Sequence, residues 1–262
     1  MTTGSTEDLD AAERTHPFAG RTALVTGAGR GIGRAVALQL ADAGARVVLV
    51  ARTEAQLAGT SSEIAGREGD ATAVRADLAD HAQVRRLAAD VLAEHGRIDI
   101  LVNNAATVAP LGPSVGVDLD QYAAQLQLNV LAVATLTFAL LPPMLDVGWG
   151  RVVNVSSGIA ADPAGMIGGN AYATTKAALE AHTVNLAAEL DGTGVTVNAF
   201  WPGTVDTAMQ TWIRDQDPDR IGAALHQRFS AYLSEGRLIA PERAASTLLT
   251  HLTGNATGQV WS

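Results

Sequence analysis

The sequence contains no cysteine. Disulfides, thiolate metal ligands and thiol nucleophiles are therefore excluded. Histidine is sparse too: six residues lie scattered, with no His-x-x-x-His pair, so no metal site is expected. Cations are outnumbered, 18 Lys and Arg against 27 Asp and Glu, and the net charge is −9. A nucleic-acid backbone demands a basic surface, so no nucleic-acid partner is expected, although a local basic pocket for a small phosphate stays open. No stretch of about 18 apolar residues escapes polar interruption, so no membrane span is expected. Residues 1–17 are polar and acidic rather than basic and then apolar, unlike a secretory leader. Residues 1–18 read as a flexible tail, and a cytoplasmic location is the default expectation.

What is present is apolar material in a regular rhythm. Hydrophobic residues make up 47% of 262 and charged residues 17%, enough to bury a large core in one domain spanning 19–262. Short apolar runs at 22–26, 46–50, 71–76, 98–102, 151–156, 195–200 and 259–261 read as strands. Helical patterns fall between them at 31–43, 54–67, 82–95, 119–141, 171–190 and 241–253. Continuous apolar strands alternating with helices imply an α/β fold, a parallel sheet covered on both faces. Right-handed crossovers then make it doubly wound. Only 206–240 breaks the rhythm; it is polar and reads as an irregular excursion from the sheet.

The first strand runs into a helix through Thr26-Gly27-Ala28-Gly29-Arg30-Gly31-Ile32-Gly33. Glycines let backbone N–H groups approach a pyrophosphate, and the helix N-terminus adds partial positive charge. A ligand-free tight turn would use the same residues, but the strand-loop-helix context favours the phosphate. The second strand ends Val50-Ala51-Arg52. An acid there would hold a ribose 2′-hydroxyl; Ala51 lacks one, and Arg52 with Arg30 can grip a 2′-phosphate instead. NADP(H) is therefore the expected cofactor over NAD(H). Tyr172-Ala-Thr-Thr-Lys176 lies near a helix start, and its i, i+4 spacing puts both side chains on one face. A tyrosine titrates near 10 in water, and an adjacent ammonium or cationic nicotinamide would lower it toward neutrality, fitting it for proton transfer. Such a pair alone arises often by chance on a protein surface.

The spacing Gly27-x-x-x-Gly31-x-Gly33 differs from Gly-x-Gly-x-x-Gly and resembles the short-chain dehydrogenase/reductase family, in its compact, Rossmann-like single-domain branch. Other motifs follow in that family's order, from about Arg21 to Trp261. Asn154-Val155-Ser156-Ser157 precedes the tyrosine helix, and the resemblance implies that Ser157 polarises the substrate oxygen. The interval of 15 residues from Ser157 to Tyr172 is longer than the family's, which leaves Ser156 as the alternative and implies an extended loop at 160–170. Asn103-Asn104-Ala105-Ala106 resembles the family's Asn-Asn-Ala-Gly turn, with Ala106 in place of glycine. Asn129, polar among apolar neighbours, would sit in a kinked helix whose backbone holds a water behind Lys176; a plain helix–helix hydrogen bond is the simpler reading. Asp77 would contact the adenine, or cap a helix, or both.

By the same resemblance, the cofactor would be held by Gly27, Arg30, Gly31, Ile32, Arg52, Asp77, Leu78, Asn104, Ala105, Tyr172 and Lys176. Pro202, Gly203, Val205 and Thr207 would pass beside the nicotinamide. The reaction implied is hydride transfer between NADP(H) and a carbonyl or secondary-alcohol substrate, a ketone, an aldehyde or a 3-oxoacyl-thioester-like compound, with Asn129, Ser157, Tyr172 and Lys176 as the catalytic set. Substrate contacts are expected from Ser157 and from Met166, Ile167, Trp201, Met209 and Trp212, a largely apolar group. The helices at 119–141 and 171–190 are apolar on more than one face, which implies a homodimer or homotetramer. An epimerase or dehydratase of the extended branch would need a longer chain and a Gly-x-x-Gly-x-x-Gly loop. A catalytically silent NADP(H)-binding sensor or scaffold would be signalled by loss of Ser157, Tyr172 or Lys176, and all three are present.

Overall fold

The computed structural model describes residues 16–262. Seven strands, β1 (Thr22–Thr26), β2 (Arg46–Ala51), β3 (Ala71–Arg75), β4 (Ile100–Asn103), β5 (Gly150–Val155), β6 (Val195–Phe200) and β7 (Val260–Trp261), form one sheet in the order β3-β2-β1-β4-β5-β6-β7. Every pairing is parallel. The central strands β1, β4, β5 and β6 are buried at every position, which explains why apolar residues dominate them, while edge strand β3 is only partly covered.

Alternate residues of each strand feed two cores. On one face Val25, Leu49, Val102 and Phe200 meet α1 (Gly31–Asp42), α2 (Glu54–Gly66) and α10 (Pro241–Leu252) through Val36, Leu40, Leu57, Ile64 and Leu248. On the other, Leu24, Val48, Leu101, Val152 and Val197 meet α3 (His81–His95), α5 (Ala132–Asp146) and α6 (Asn170–Glu189) through Leu87, Val91, Leu136, Met144 and Leu186. Each such side chain contributes roughly 1.5–3 kcal/mol by leaving water. Chain order reverses between β1 and β4, so their C-terminal ends open a crevice, the usual ligand position in such sheets.

Three expectations change. Phe18, inside the expected tail, is buried, and its N–H bonds the Ala43 carbonyl; residues 1–15 of that tail lie outside the described residues. The 206–240 excursion is not irregular. It holds α7 (Ala208–Arg214), α8 (Pro218–Ile221) and α9 (Ala223–Ser234). Their sparse apolar residues, Ile213, Ile221, Leu225 and Phe229, gather into a third core with Val108, Ile159 and Met166. So few apolar positions among many polar ones hide the helical period.

The third change concerns the long helix. It extends to Asp146 as α4 (Leu119–Leu126), a π-helical turn (Gln127–Leu131) and α5. By length and apolarity alone this 28-residue helix could cross a membrane. Its inner face is nevertheless packed on α3 and β5, and Gln125 and Asn129 are buried within the protein.

Candidate active site

A cleft of about 840 Å³ opens along the C-terminal ends of the strands. It is lined by Gly27, Arg30, Gly31 and Ile32 from the first turn, and by Arg52, Asp77 and Leu78 beyond β2 and β3. Asn104 and Ala105 follow β4; Ser157, Tyr172 and Lys176 follow β5; Pro202, Gly203, Val205 and Thr207 follow β6. Fifteen sequence-nominated cofactor contacts and three of the four nominated catalytic residues thus share one cavity.

The glycine loop has physical reasons for its composition. Gly27 and Gly31 adopt positive φ, 68° and 56°. A Cβ on Gly27 would lie 2.8 Å from Asn104 Nδ2, and one on Gly33 would collide with the Gly27 carbonyl and the same amide. Asn104 is fixed there because its Nδ2 donates to the Thr26 carbonyl at 2.8 Å, while Thr26 Oγ1 accepts from the Asn104 and Ala105 N–H groups. The N-terminus of α1 has no side-chain cap and no acid in its first turn. Free N–H groups at a helix start with Arg30 and Arg52 nearby fit a dinucleotide diphosphate and a 2′-phosphate. Arg52 is exposed and lies 4.0 Å from Asp77. Asp77 does not cap α3. Asp80 does, while Asp77 caps the preceding turn through the Ala79 N–H.

Lys176 is deeply buried at 2% exposure, and its Nζ donates to the Val155 carbonyl at 2.7 Å. It lies 5.6 Å from the Tyr172 ring centre. The two adjacent serines part company. Ser157 faces the Tyr172 phenol, its Oγ accepting from the Ile159 N–H, whereas buried Ser156 donates to Glu180 Oε1 at 2.6 Å. Two short 3-10 turns, Gly158–Ala160 and Pro163–Met166, take up the extra length of the loop. Burial pushes the Tyr172 phenol up to about 12, with the Ser157 hydrogen bond acting the other way. Burial likewise pushes Lys176 down to about 8, opposed by the charge of Glu180. The expected drop of the tyrosine toward neutrality is therefore absent from the chain itself, because desolvating the phenolate outweighs the hydrogen bond from Ser157.

Asn129 is buried but does not line the cleft. It sits in the π-helical turn, where its Oδ1 accepts from the Thr107 N–H and its Nδ2 donates to the Thr107 carbonyl and Thr175 Oγ1. It binds the loop after β4 to the helix bearing Tyr172 and Lys176. Behind it runs a buried polar chain: Asn103 donates to Thr137 and Asn154, and Asn154 donates to Thr183.

On the substrate side, Met166, Trp201 and Met209 line the cleft. Ile167 and Trp212 do not: Ile167 is 84% exposed and Trp212 38%. Met166 turns inward from the 3-10 turn, so its neighbour points out; Trp212 lies on the solvent side of α7, while Ile213 is buried. The sequence reading missed Val108, Ile159, Arg228, Phe229 and Tyr232 as lining residues, and Glu180 altogether. Leu225, Phe229 and Tyr232 follow a helical i, i+4, i+7 spacing that could have revealed α9. Among the described residues no cluster of His, Asp and Glu could hold a metal.

The chain belongs to the short-chain dehydrogenase family, whose model matches residues 21–218. A short chain dehydrogenase from Pseudocercospora fijiensis is 42% identical over 192 residues, 72% of this chain and 61% of that protein, so the match spans less than two thirds of that relative. A 1-deoxy-11-beta-hydroxypentalenate dehydrogenase from Streptomyces avermitilis is 41% identical over 72% of this chain and 70% of its own. The crystal structure of a 3-oxoacyl (acyl-carrier-protein) reductase from Agrobacterium tumefaciens C58 with NADP bound superposes with a TM-score of 0.82 at 31% identity, covering 95% of both chains. The protein is thus an oxidoreductase of this family, on a Rossmann-like fold.

Proposed function

We propose that the protein is an NADP(H)-dependent oxidoreductase that interconverts a ketone or aldehyde and the corresponding alcohol. The observation that carries this reading is the convergence of Ser157, Tyr172 and Lys176 in the cleft that begins at the uncapped glycine loop. The bound dinucleotide would supply or accept the hydride.

Every other part belongs to the chain. Gly27, Gly31 and Ile32 open the backbone to the diphosphate, and Arg30 and Arg52 meet the 2′-phosphate. Ser157 donates a hydrogen bond to the substrate oxygen, where charge develops during reduction. Tyr172, whose phenol is a protonated acid in the chain alone, gives that oxygen its proton. Lys176 holds positive charge beneath the tyrosine, and Asn129 positions the helix that carries both. Commitment of the Ser156 hydroxyl to Glu180 favours Ser157 over Ser156 for the polarising role.

Val108, Ile159, Met166, Met209, Ile213 and Phe229 make the substrate wall apolar, which favours a substrate with an apolar body. The relatives act on an alcohol and on a 3-oxoacyl carbonyl by name, consistent with that class. Leu131, Phe138 and Val184 are about half exposed on the two long helices, and we read them as the contact of a homodimer or homotetramer. The test is NADPH and NADH oxidation against a panel of apolar ketones, aldehydes and 3-oxoacyl thioesters. Turnover with NADPH supports the reading; cofactor binding without turnover on any of them would favour a silent binding protein.

A further inference from the structure

The sequence contains a single lysine, Lys176, and one turn beyond it on α6 stands Glu180. The carboxylate of Glu180 is gripped from two strands. Ser156 Oγ, just past β5, donates to its Oε1 at 2.6 Å, and Trp201 Nε1, just past β6, donates to the same oxygen at 2.5 Å. Those donors occupy sites that the sequence reading assigned elsewhere, Ser156 as an alternative polarising hydroxyl and Trp201 as a substrate wall.

We propose that Glu180 is a positioning residue for the Tyr172–Lys176 pair: its carboxylate, pinned by Ser156 and Trp201, holds a fixed negative charge behind the buried lysine. The proposal rests on the reading of Tyr172 as proton donor. Two consequences follow from the geometry. Anchoring Ser156 fixes the backbone of the next residue, Ser157, which faces Tyr172. A negative charge beside a buried amine favours its ammonium form, and burial alone works against that form. In agreement, burial pushes Lys176 down to about 8 and Glu180 acts in the opposite direction.

Few other charges face this pair. On α6 itself the nearby titratable groups are Tyr172 and Glu180. The ends of β5 and β6 offer the Val155 carbonyl, Ser156, Ser157 and Trp201, and the π-helical turn offers Asn129, none of which ionises near neutrality. From α4 come exposed Asp120 and half-buried Tyr122, and from the 158–166 loop exposed Asp162; Arg151 lies at the far end of β5. Glutamine could accept the same two hydrogen bonds, so Glu180→Gln removes the charge and keeps the fastening.

With a single lysine, protein labelled with ¹³C at the lysine ε-carbon gives one resonance that reports the Lys176 titration directly. Wild type and Glu180→Gln are titrated free of cofactor, and the pH profile of kcat is measured in parallel. The expected result is a Lys176 midpoint lowered by about one pH unit, with the alkaline limb of the kcat profile moving down alongside it. Trp201→Phe removes one donor and keeps the charge, so its midpoint must not fall. Superposing midpoints for wild type and Glu180→Gln would overturn the proposal. If the Gln variant does not fold, Glu180→Ser takes its place with the same expected direction. Tyr172→Phe separates the two levels: wild-type turnover in that variant defeats the proton-donor reading, whereas lost turnover with an unmoved lysine midpoint in Glu180→Gln defeats only the role of Glu180.

Discussion

Arg52→Asp should convert the proposed preference for NADPH into one for NADH. Arg52 follows Ala51, the last residue of β2, at the position where an acid would hold a ribose 2′-hydroxyl and alanine offers none. Its guanidinium lines the cleft with 67% of the side chain exposed. A charge-assisted hydrogen bond to phosphate contributes about 1.5–3 kcal/mol, and this exposure places Arg52 toward the lower end. The introduced carboxylate adds about 1 kcal/mol of repulsion in water-like surroundings. Losing the 4.0 Å pair with Asp77 costs almost nothing at the surface. A total near 2.5–3.5 kcal/mol weakens NADPH binding roughly 100-fold. NADH lacks the phosphate and should change less than about threefold. Fluorescence titration of both cofactors at two salt concentrations measures this, and the NADPH effect should shrink as salt screens the exposed charges. Equal weakening of both cofactors would refute the 2′-phosphate role and leave Arg52 a surface residue.

Other consequences follow from the buried polar groups and the exposed helices. Asn129→Ala leaves the Thr107 N–H without its partner and removes one of the two donors to the Thr107 carbonyl, Gln125 keeping the other, and should cost about 1–3 kcal/mol, lowering Tm by roughly 3–8 °C with turnover falling as well; a Tm within 1 °C of wild type would contradict the bracing role. Lys176→Met should abolish turnover yet stabilise the cofactor-free protein by up to about 3 kcal/mol near pH 7. The sign follows from burial: with Lys176 near 8 in the fold and 10.5 in the open chain, the unfolded state holds more protons between those values, so wild-type stability recovers as pH rises and the advantage of Met disappears by about pH 10.5. Denaturant melts of both proteins from pH 7 to 10.5 check this. Phe138→Glu should dissociate the proposed homo-oligomer, read by light scattering, without unfolding the subunit, because that side chain is 56% exposed.

Much of this was legible in the chain because buried parallel strands must read as unbroken apolar runs. Residues 47–50 and 100–102 are such runs, and the glycine loop between β1 and α1 announced itself by needing backbone where side chains would collide. The kink at Asn129 was expected only through the family resemblance; its π-helical form, with Asn129 reaching Thr107 across the fold, goes with a tertiary contact that no local pattern encodes. The helices of 208–234 were hidden because each buries only one to two apolar residues. Ile167 and Trp212 were misassigned because apolar character does not tell which side of a short turn or helix faces the cleft. Glu180 escaped notice because an acid on a helix ordinarily faces water; only the two strand ends that meet it reveal otherwise.

The most direct test of the central claim is NADPH oxidation by Tyr172→Phe on the best substrate of the panel. Phenylalanine keeps the ring and removes the one hydroxyl proposed to move the proton, so NADPH affinity should stay within about threefold while kcat falls by at least the 10²–10⁴-fold typical of a lost acid–base group. Turnover at the wild-type rate would contradict it.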